Sequence, residues 1–216
     1  MEKIRKNKKI ICIFLFPAFF IYLCFEVIPV LMTIYFSFHE WPGIQSVPLE
    51  FVGLDNFVNL FRNEIFLKSL KNVFLYVIAS VILQVPLGFA LGLLVHKFTH
   101  FKRFFKASFF IPMILSVTAV ALLWNFIYFP TDKGILNTLL IHAGLPALAR
   151  QWLVDPETTL PALIIVSTWT SVGYYMIICL AGLTAIPDSV IEAGEMDGAT
   201  GIRKVWYLYI PMLWDS

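Results

Sequence analysis

The sequence predicts an all-α protein, a polytopic bundle of membrane helices, and three observations predict it. Of 216 residues, 59% are hydrophobic and only 14% are charged, against roughly 45–50% and 25% in soluble domains. The mean hydropathy is +0.81. The charges are also segregated: the apolar stretches 10–38, 72–95, 104–129 and 160–186 contain only Glu26 and Lys106 among charged side chains. Each stretch exceeds the ~20 residues that carry a helix across a hydrocarbon core. A single transmembrane domain over 1–216 with four spans is therefore expected.

The first span follows a basic leader of Lys3, Arg5, Lys6, Lys8 and Lys9. Its apolar run continues past Phe36, far beyond the ~7–15 residues of a signal-peptide core, and no small-x-small site closes it. It is read as an uncleaved helix. Pro17 and Pro29 in this span, Pro86 in the second and Pro112 in the third each remove a backbone donor and invite a kink. Gly88 and Gly92 form a GxxxG pattern on the second span, which lets another helix approach closely; generic packing is its plainer meaning. Cys12, Cys24 and Cys179 all lie in apolar stretches without ligand spacing and read as small buried hydrophobes.

Orientation follows from the basic residues. With a cytoplasmic amino terminus, the inside segments 1–9, 96–106 and 187–216 carry 11 Lys/Arg, and the outside loops 39–71 and 130–159 carry five. That obeys the positive-inside rule and puts both termini in the cytoplasm of a cell-membrane protein. The first outer loop contains an amphipathic stretch, 56–70, expected to lie along the outer surface. The second has turn signals at Asp132-Lys133-Gly134 and Asp155-Pro156, with a short apolar helix between them.

Several chemistries are excluded or disfavoured. Net charge +2 supplies no basic face for nucleic acid. There is no GxxxxGK[ST] phosphate loop, no HExxH and no GxSxG, so neither ATP binding of that type nor the commonest hydrolytic sites are present. No enzyme activity, cofactor or metal site is expected. A secondary carrier usually places ionisable groups at the midplane. Glu26 is the sole candidate, and it is equally readable as a neutral buried acid or a group reaching the outer headgroups.

The most informative segment is 187–212. Pro187 ends the fourth span, Ser189 and Glu192 have the spacing of an S-x-x-E capping box, and Gly198 breaks the helix they begin. A second short helix is expected with Ile202, Val205, Trp206 and Tyr209 on one face, closed by Pro211. The product is a helix–turn–helix bracket with one apolar face. Locally it could be a plain interfacial elbow.

The order Glu192-Ala193-Gly194, Asp197-Gly198-Ala199, Leu208-Tyr209-Ile210-Pro211 resembles the EAA loop of ABC-importer permeases. The departures are Gly194 where Ala is usual, and Leu208 and Ile210 where Ile and Leu are usual. Phe51-Val52-Gly53-Leu54-Asp55-Asn56-Phe57, Gly134-Ile135-Leu136-Asn137 and Leu180-Ala181-Gly182-Leu183 are similar to the carbohydrate-uptake branch, related to maltose- and glycerol-3-phosphate-type systems. The resemblance implies a translocation subunit with no catalysis of its own. It would pair with a second permease subunit, a cytoplasmic ATPase dimer and an external solute-binding protein. Glu192, Ala193, Gly194, Asp197, Gly198 and Ala199 would couple it to the ATPase.

Ser167, Thr170, Ser171 and Tyr174 fall at i, i+3, i+4 and i+7 on the fourth span, hence on one helix face. Hydroxyls there either line a solute path or bond back to the helix and glue neighbours; the family resemblance favours the path. Trp169, Tyr175, Gln84 and Asn125 are weaker candidates. The family core has six helices, so two are expected beyond Ser216; the chain is then either a truncated product or fragment or a genuinely shortened variant, and is expected to be incomplete as a transporter. A non-transporting membrane anchor or assembly remnant is the alternative, with a secondary carrier third.

Overall fold

The computed structural model describes residues 8–41, 43, 48–97 and 101–214, which divide into two compact units, 1–71 and 72–216. In the first, α1 (Lys8–Tyr22) passes through a π turn (Leu23–Val27) into α2 (Ile28–Ser37). Pro29 explains the turn. It has no N–H, and its ring would press on the carbonyl four residues back. Widening the helix, with the Ile28 N–H bonded to the Leu23 carbonyl, absorbs both effects. The rod 11–37 is long and apolar enough to cross a membrane, with none of its most apolar window buried. Glu26 sits in the π turn and is exposed.

Two short strands, β1 (His39–Glu40) and β2 (Glu50–Phe51), pair antiparallel with His39 opposite Phe51. The Asn56 amide ties their base by donating to the carbonyls of Ser37 and His39, both at 3.0 Å. The expected amphipathic stretch 56–70 is not one helix. It divides into α3 (Asp55–Arg62) and the start of α4 (Glu64–Lys97). Asn63 makes the division: it is extended, and its Oδ1 accepts the N–H groups of Ile65 and Phe66, capping the new helix.

In the second unit the third apolar stretch departs from expectation. Instead of one span over 104–129, α5 (Lys102–Ile114) and α6 (Val117–Ile127) meet at 97°. Leu115 and Ser116 are extended, and Ser116 Oγ accepts the Ala119 N–H at 3.2 Å. A serine inside an apolar run thus starts a helix rather than riding on one. Among the described residues there are three helices long and apolar enough to span, or four if this bent pair counts as one.

Next come α7 (Ile135–His142) and α8 (Pro156–Ala185). Asp155 caps α8 by accepting the Glu157 N–H at 3.0 Å. Within α7, buried Asn137 donates to the carbonyls of Phe129, Thr131 and Arg150 and accepts from the Arg150 N–H and Trp152 Nε1. One amide thereby organises the whole 129–152 loop. The unit closes with α9 (Asp188–Met196), α10 (Ile202–Lys204), a second π turn (Val205–Tyr209) and α11 (Ile210–Trp214).

Helix α8 is the axis of the packing. A Cβ on Gly88 would overlap Tyr175 Cβ, and one on Gly173 would overlap the Phe109 carbonyl of α5, so backbone meets backbone on both sides of α8. Val95, Met176 and Leu180 form one buried cluster. Leu183, Ile186 and Tyr209 form a second, which joins the end of α8 to the bracket.

Candidate functional site

Two places collect the residues singled out in the sequence: the bracket 188–209, and a groove beside α8. The bracket begins at once after Pro187, whose carbonyl accepts the N–H groups of Val190 and Ile191. Because the helix starts at Asp188, Ser189 falls inside its first turn and no side chain caps it. The expected Ser189–Glu192 capping box is therefore not formed. Glu192 is exposed and has no capping task.

The helix ends as the Ala199 N–H reaches the Gly194 carbonyl at 2.8 Å, with Gly198 at φ +86. The turn needs a second glycine that the sequence reading passed over. Gly201 sits at φ 57, ψ −124, a region that only glycine enters at low cost. Its signal was a lone glycine directly before the second helix.

That second helix corrects two expectations. The face at 202, 205, 206 and 209 is split: Tyr209 is buried, whereas Ile202 and Trp206 are 69% and 64% exposed. The reason is the π turn, which adds a residue to the turn and rotates everything after it. Pro211 does not close the element either, for the helix runs on to Trp214. The π turn bonds the Ile210 N–H to the Val205 carbonyl and lets the proline follow, as Ile28-Pro29 does in the first unit.

Of the six coupling candidates, Gly194, Asp197, Gly198 and Ala199 line one pocket of about 520 Å³ with Arg203, Tyr207 and Leu208. Glu192 and Ala193 stand outside it. Gly194 is where the sequence departs from the resembled motif, and the structure gives a use for the departure. A Cβ there would lie 2.8 Å from Leu208 Cδ1, the end of a flexible side chain, so the glycine eases a contact that an alanine would meet by a small turn of the leucine.

Lys204 Nζ meets Glu195 Oε1 at 2.6 Å and stands 5.5 Å from the centre of the Tyr209 ring. The hydrogen bond to Glu195 raises the Lys204 pKa above its ordinary value, with burial opposing and Tyr209 adding to the rise. A raised lysine pKa contributes fully below the unfolded value and is lost only as pH climbs through the folded one. The contact therefore holds across the neutral range.

The groove, about 490 Å³, opens where α5 and α6 part. It is lined by Tyr76, Pro112, Leu115, Val117, Val120, Leu163, Val166, Ser167 and Thr170. Two of the four stripe residues, Ser167 and Thr170, reach it; Ser171 and Tyr174 are not among its lining. Gln84 Nε2 donates to Ser167 Oγ at 3.0 Å, while Thr170 Oγ1 bonds back to the carbonyls of Val166 and Ser167. Trp169 packs edge-on against Trp124, with ring centres 5.7 Å apart. Tyr174 and Tyr175 stack edge to face, and Asn125 is exposed.

Residues 84–215, which include the groove's α8 wall and the entire bracket, match the family described as "Binding-protein-dependent transport system inner membrane component". The "Probable ABC transporter permease protein YurN" of Bacillus subtilis is 36% identical over 210 residues, covering 96% of this chain and 71% of the relative. The diacetylchitobiose uptake system permease protein NgcF of Streptomyces coelicolor is 31% identical over 208 residues, covering 91% of this chain and 58% of that one. Among solved structures, a bacterial ABC transporter involved in import of the acidic polysaccharide alginate superposes with TM-score 0.80 at 24% identity. That match covers 98% of this chain and 70% of the other, and it shows a shared fold.

Proposed function

From the premise that this chain belongs to the binding-protein-dependent transport system inner membrane components, the permease subunits of ABC transporters, we propose that it moves a carbohydrate and that segment 188–209 receives the stroke of a separate ATPase. The observation that carries the coupling reading is an apolar rim around the Gly198–Gly201 turn. Met196 is 86% exposed and Tyr207 78%, beside exposed Ile202 and Trp206. Apolar side chains gathered on a polar turn are the mark of a partner surface.

In this reading the ATPase subunits grip that rim, and Glu192 and Asp197 add polar contacts at its edge. The two positive-φ glycines let the chain make the tight turn between the arms. Closure of the ATPases pushes the bracket, and the second buried cluster passes the push to the foot of α8. The bracket and the amino terminus then both lie in the cytoplasm. A second permease subunit completes the path, and an external binding protein delivers the solute.

The sugar class is supported by NgcF, whose name gives diacetylchitobiose uptake, and by the chemistry of the groove. Hydroxyls at Ser167 and Thr170 and the ring of Tyr76 suit sugar hydroxyls and the apolar faces of sugar rings. The test is a cysteine in place of Met196 in the assembled importer, crosslinked to its ATPase subunit. A crosslinked pair that forms with nucleotide-dependent yield is the expected result. Failure to reach the ATPase from any rim position, with labelling only from the external side, would overturn the coupling reading.

A further inference from the structure

We propose that Lys204 is a positioning residue that locks the two arms of the bracket into one rigid lever, by bonding Glu195 on one arm while resting over Tyr209 on the other. The inference rests on the coupling role of the bracket and adds the joint which makes that role mechanical. The turn between the arms is held by two glycines at positive φ, and glycine is the most freely rotating residue. Apolar contacts already join the arms where Val190 and Ile191 pack on the same cluster as Val205, Leu208 and Tyr209, but such contacts are not directional and let one arm slip on the other.

Lys204 adds a directional tie across the turn. Its side chain is 16% exposed and that of Glu195 52%, so the pair is shielded on one side and open on the other. The ammonium lies near the face of Tyr209, which is itself 8% exposed and packed with Leu183 and Ile186. A cation held between a carboxylate and an aromatic face is fixed in direction as well as in charge. The chain of contact therefore runs from Glu195 on α9, through Lys204, to Tyr209 and the end of α8. No other ion pair among the described residues joins the two arms.

Without this polar tie, part of the motion at the outer end would be lost as slip between the arms, and only the apolar contacts would carry it to α8. The experiment measures solute transported per ATP hydrolysed in the complete importer reconstituted in vesicles. Lys204→Met should lower that ratio about fivefold, the size expected for one partly shielded pair, and Lys204→Arg should restore it. The exchanged pair Lys204→Glu with Glu195→Lys remakes the link between the arms but sets a carboxylate against the Tyr209 ring face, so it should do better than either single variant while staying below wild type, which a residue needed only for folding would not do. Glu195→Gln, altered on its exposed side, provides a variant that assembles if Lys204→Met does not, and it should show part of the loss. An unchanged ratio in Lys204→Met, or in Glu195→Gln should only that variant assemble, overturns the proposal, as does an exchanged pair no better than its single variants. The wild-type crosslink from Met196→Cys to the ATPase separates the two ideas: its presence with an unchanged ratio sinks the lock alone, and its absence sinks the coupling role beneath it.

Discussion

Helices α4 and α8 run side by side in the same direction, and the two halves of their contact are built on opposite principles. Toward the bracket, Gly88 and Gly92 bring the α4 backbone against Tyr175, Met176 and Cys179, and fully buried Val95, Met176 and Leu180 fill what remains. Toward the other end, the contact is polar: Gln84 bonds Ser167, Ser80 is buried with no partner for its hydroxyl, and a groove stays open beside them. The close half has no slack, because backbones in contact cannot yield. The polar half has slack, because a hydrogen bond between side chains can be exchanged for one to a solute. One helix pair thus combines a stiff foot, which transmits, with a compliant upper half, which accommodates.

The contrast is most severely tested at α8's other close contact. Gly173→Val would drive a side chain into the Phe109 carbonyl and Phe110 backbone, at a cost of about 3 kcal/mol. The expected outcome is loss of assembled protein, seen as a collapsed thermal unfolding temperature in detergent. A stably folded variant would show that the backbone contact of α8 with α5 has slack.

Next in size is Gly201→Ala. Its backbone angles are strained for any L side chain, which costs about 2 kcal/mol. Membrane insertion should persist while solute-stimulated ATP hydrolysis is lost. Gly198→Asp should act in the same direction but more mildly, since its φ of +86 borders a region that Asp tolerates better than most residues.

In the polar half, Ser167→Ala removes the acceptor of the Gln84 amide and should cost about 1 kcal/mol in unfolding experiments. The double change with Gln84→Leu should regain most of that stability yet still lower uptake. Normal uptake in the double variant would return the pair to mere packing. The smallest stability effect belongs to Tyr174→Ala. That ring is 45% exposed, so unfolding should shift by less than about 0.5 kcal/mol. Uptake should fall without loss of assembly; unchanged transport would remove Tyr174 from the path.

The stripe shows what a pattern can and cannot give. Its spacing puts four polar residues on one helix face, but Thr170 turns back to its own carbonyls, Ser167 bonds a neighbouring helix, and of the four only those two line the groove. Periodicity fixes the side of a helix, not what stands opposite. The bracket was legible for the opposite reason. Its glycines and prolines act on their own backbone, so the turn at Gly198 could be inferred locally. The rotation by the π turn could not, since it depends on how Pro211 is accommodated within a continuing helix.

The sequence by itself determined that the chain crosses a membrane, where its long apolar helices lie, and that a bracket follows the last of them. These properties follow from apolar content, helical period and turn residues, each acting over a few residues. Tertiary structure alone decided that Ser116 breaks the third stretch at a right angle and that Asn137 gathers a loop. It also decided that Gly194 lies against Leu208 and that Lys204 reaches both Glu195 and Tyr209. Each of these depends on which distant or rotated group arrives within bonding distance, and that is set by packing, which no short-range pattern contains.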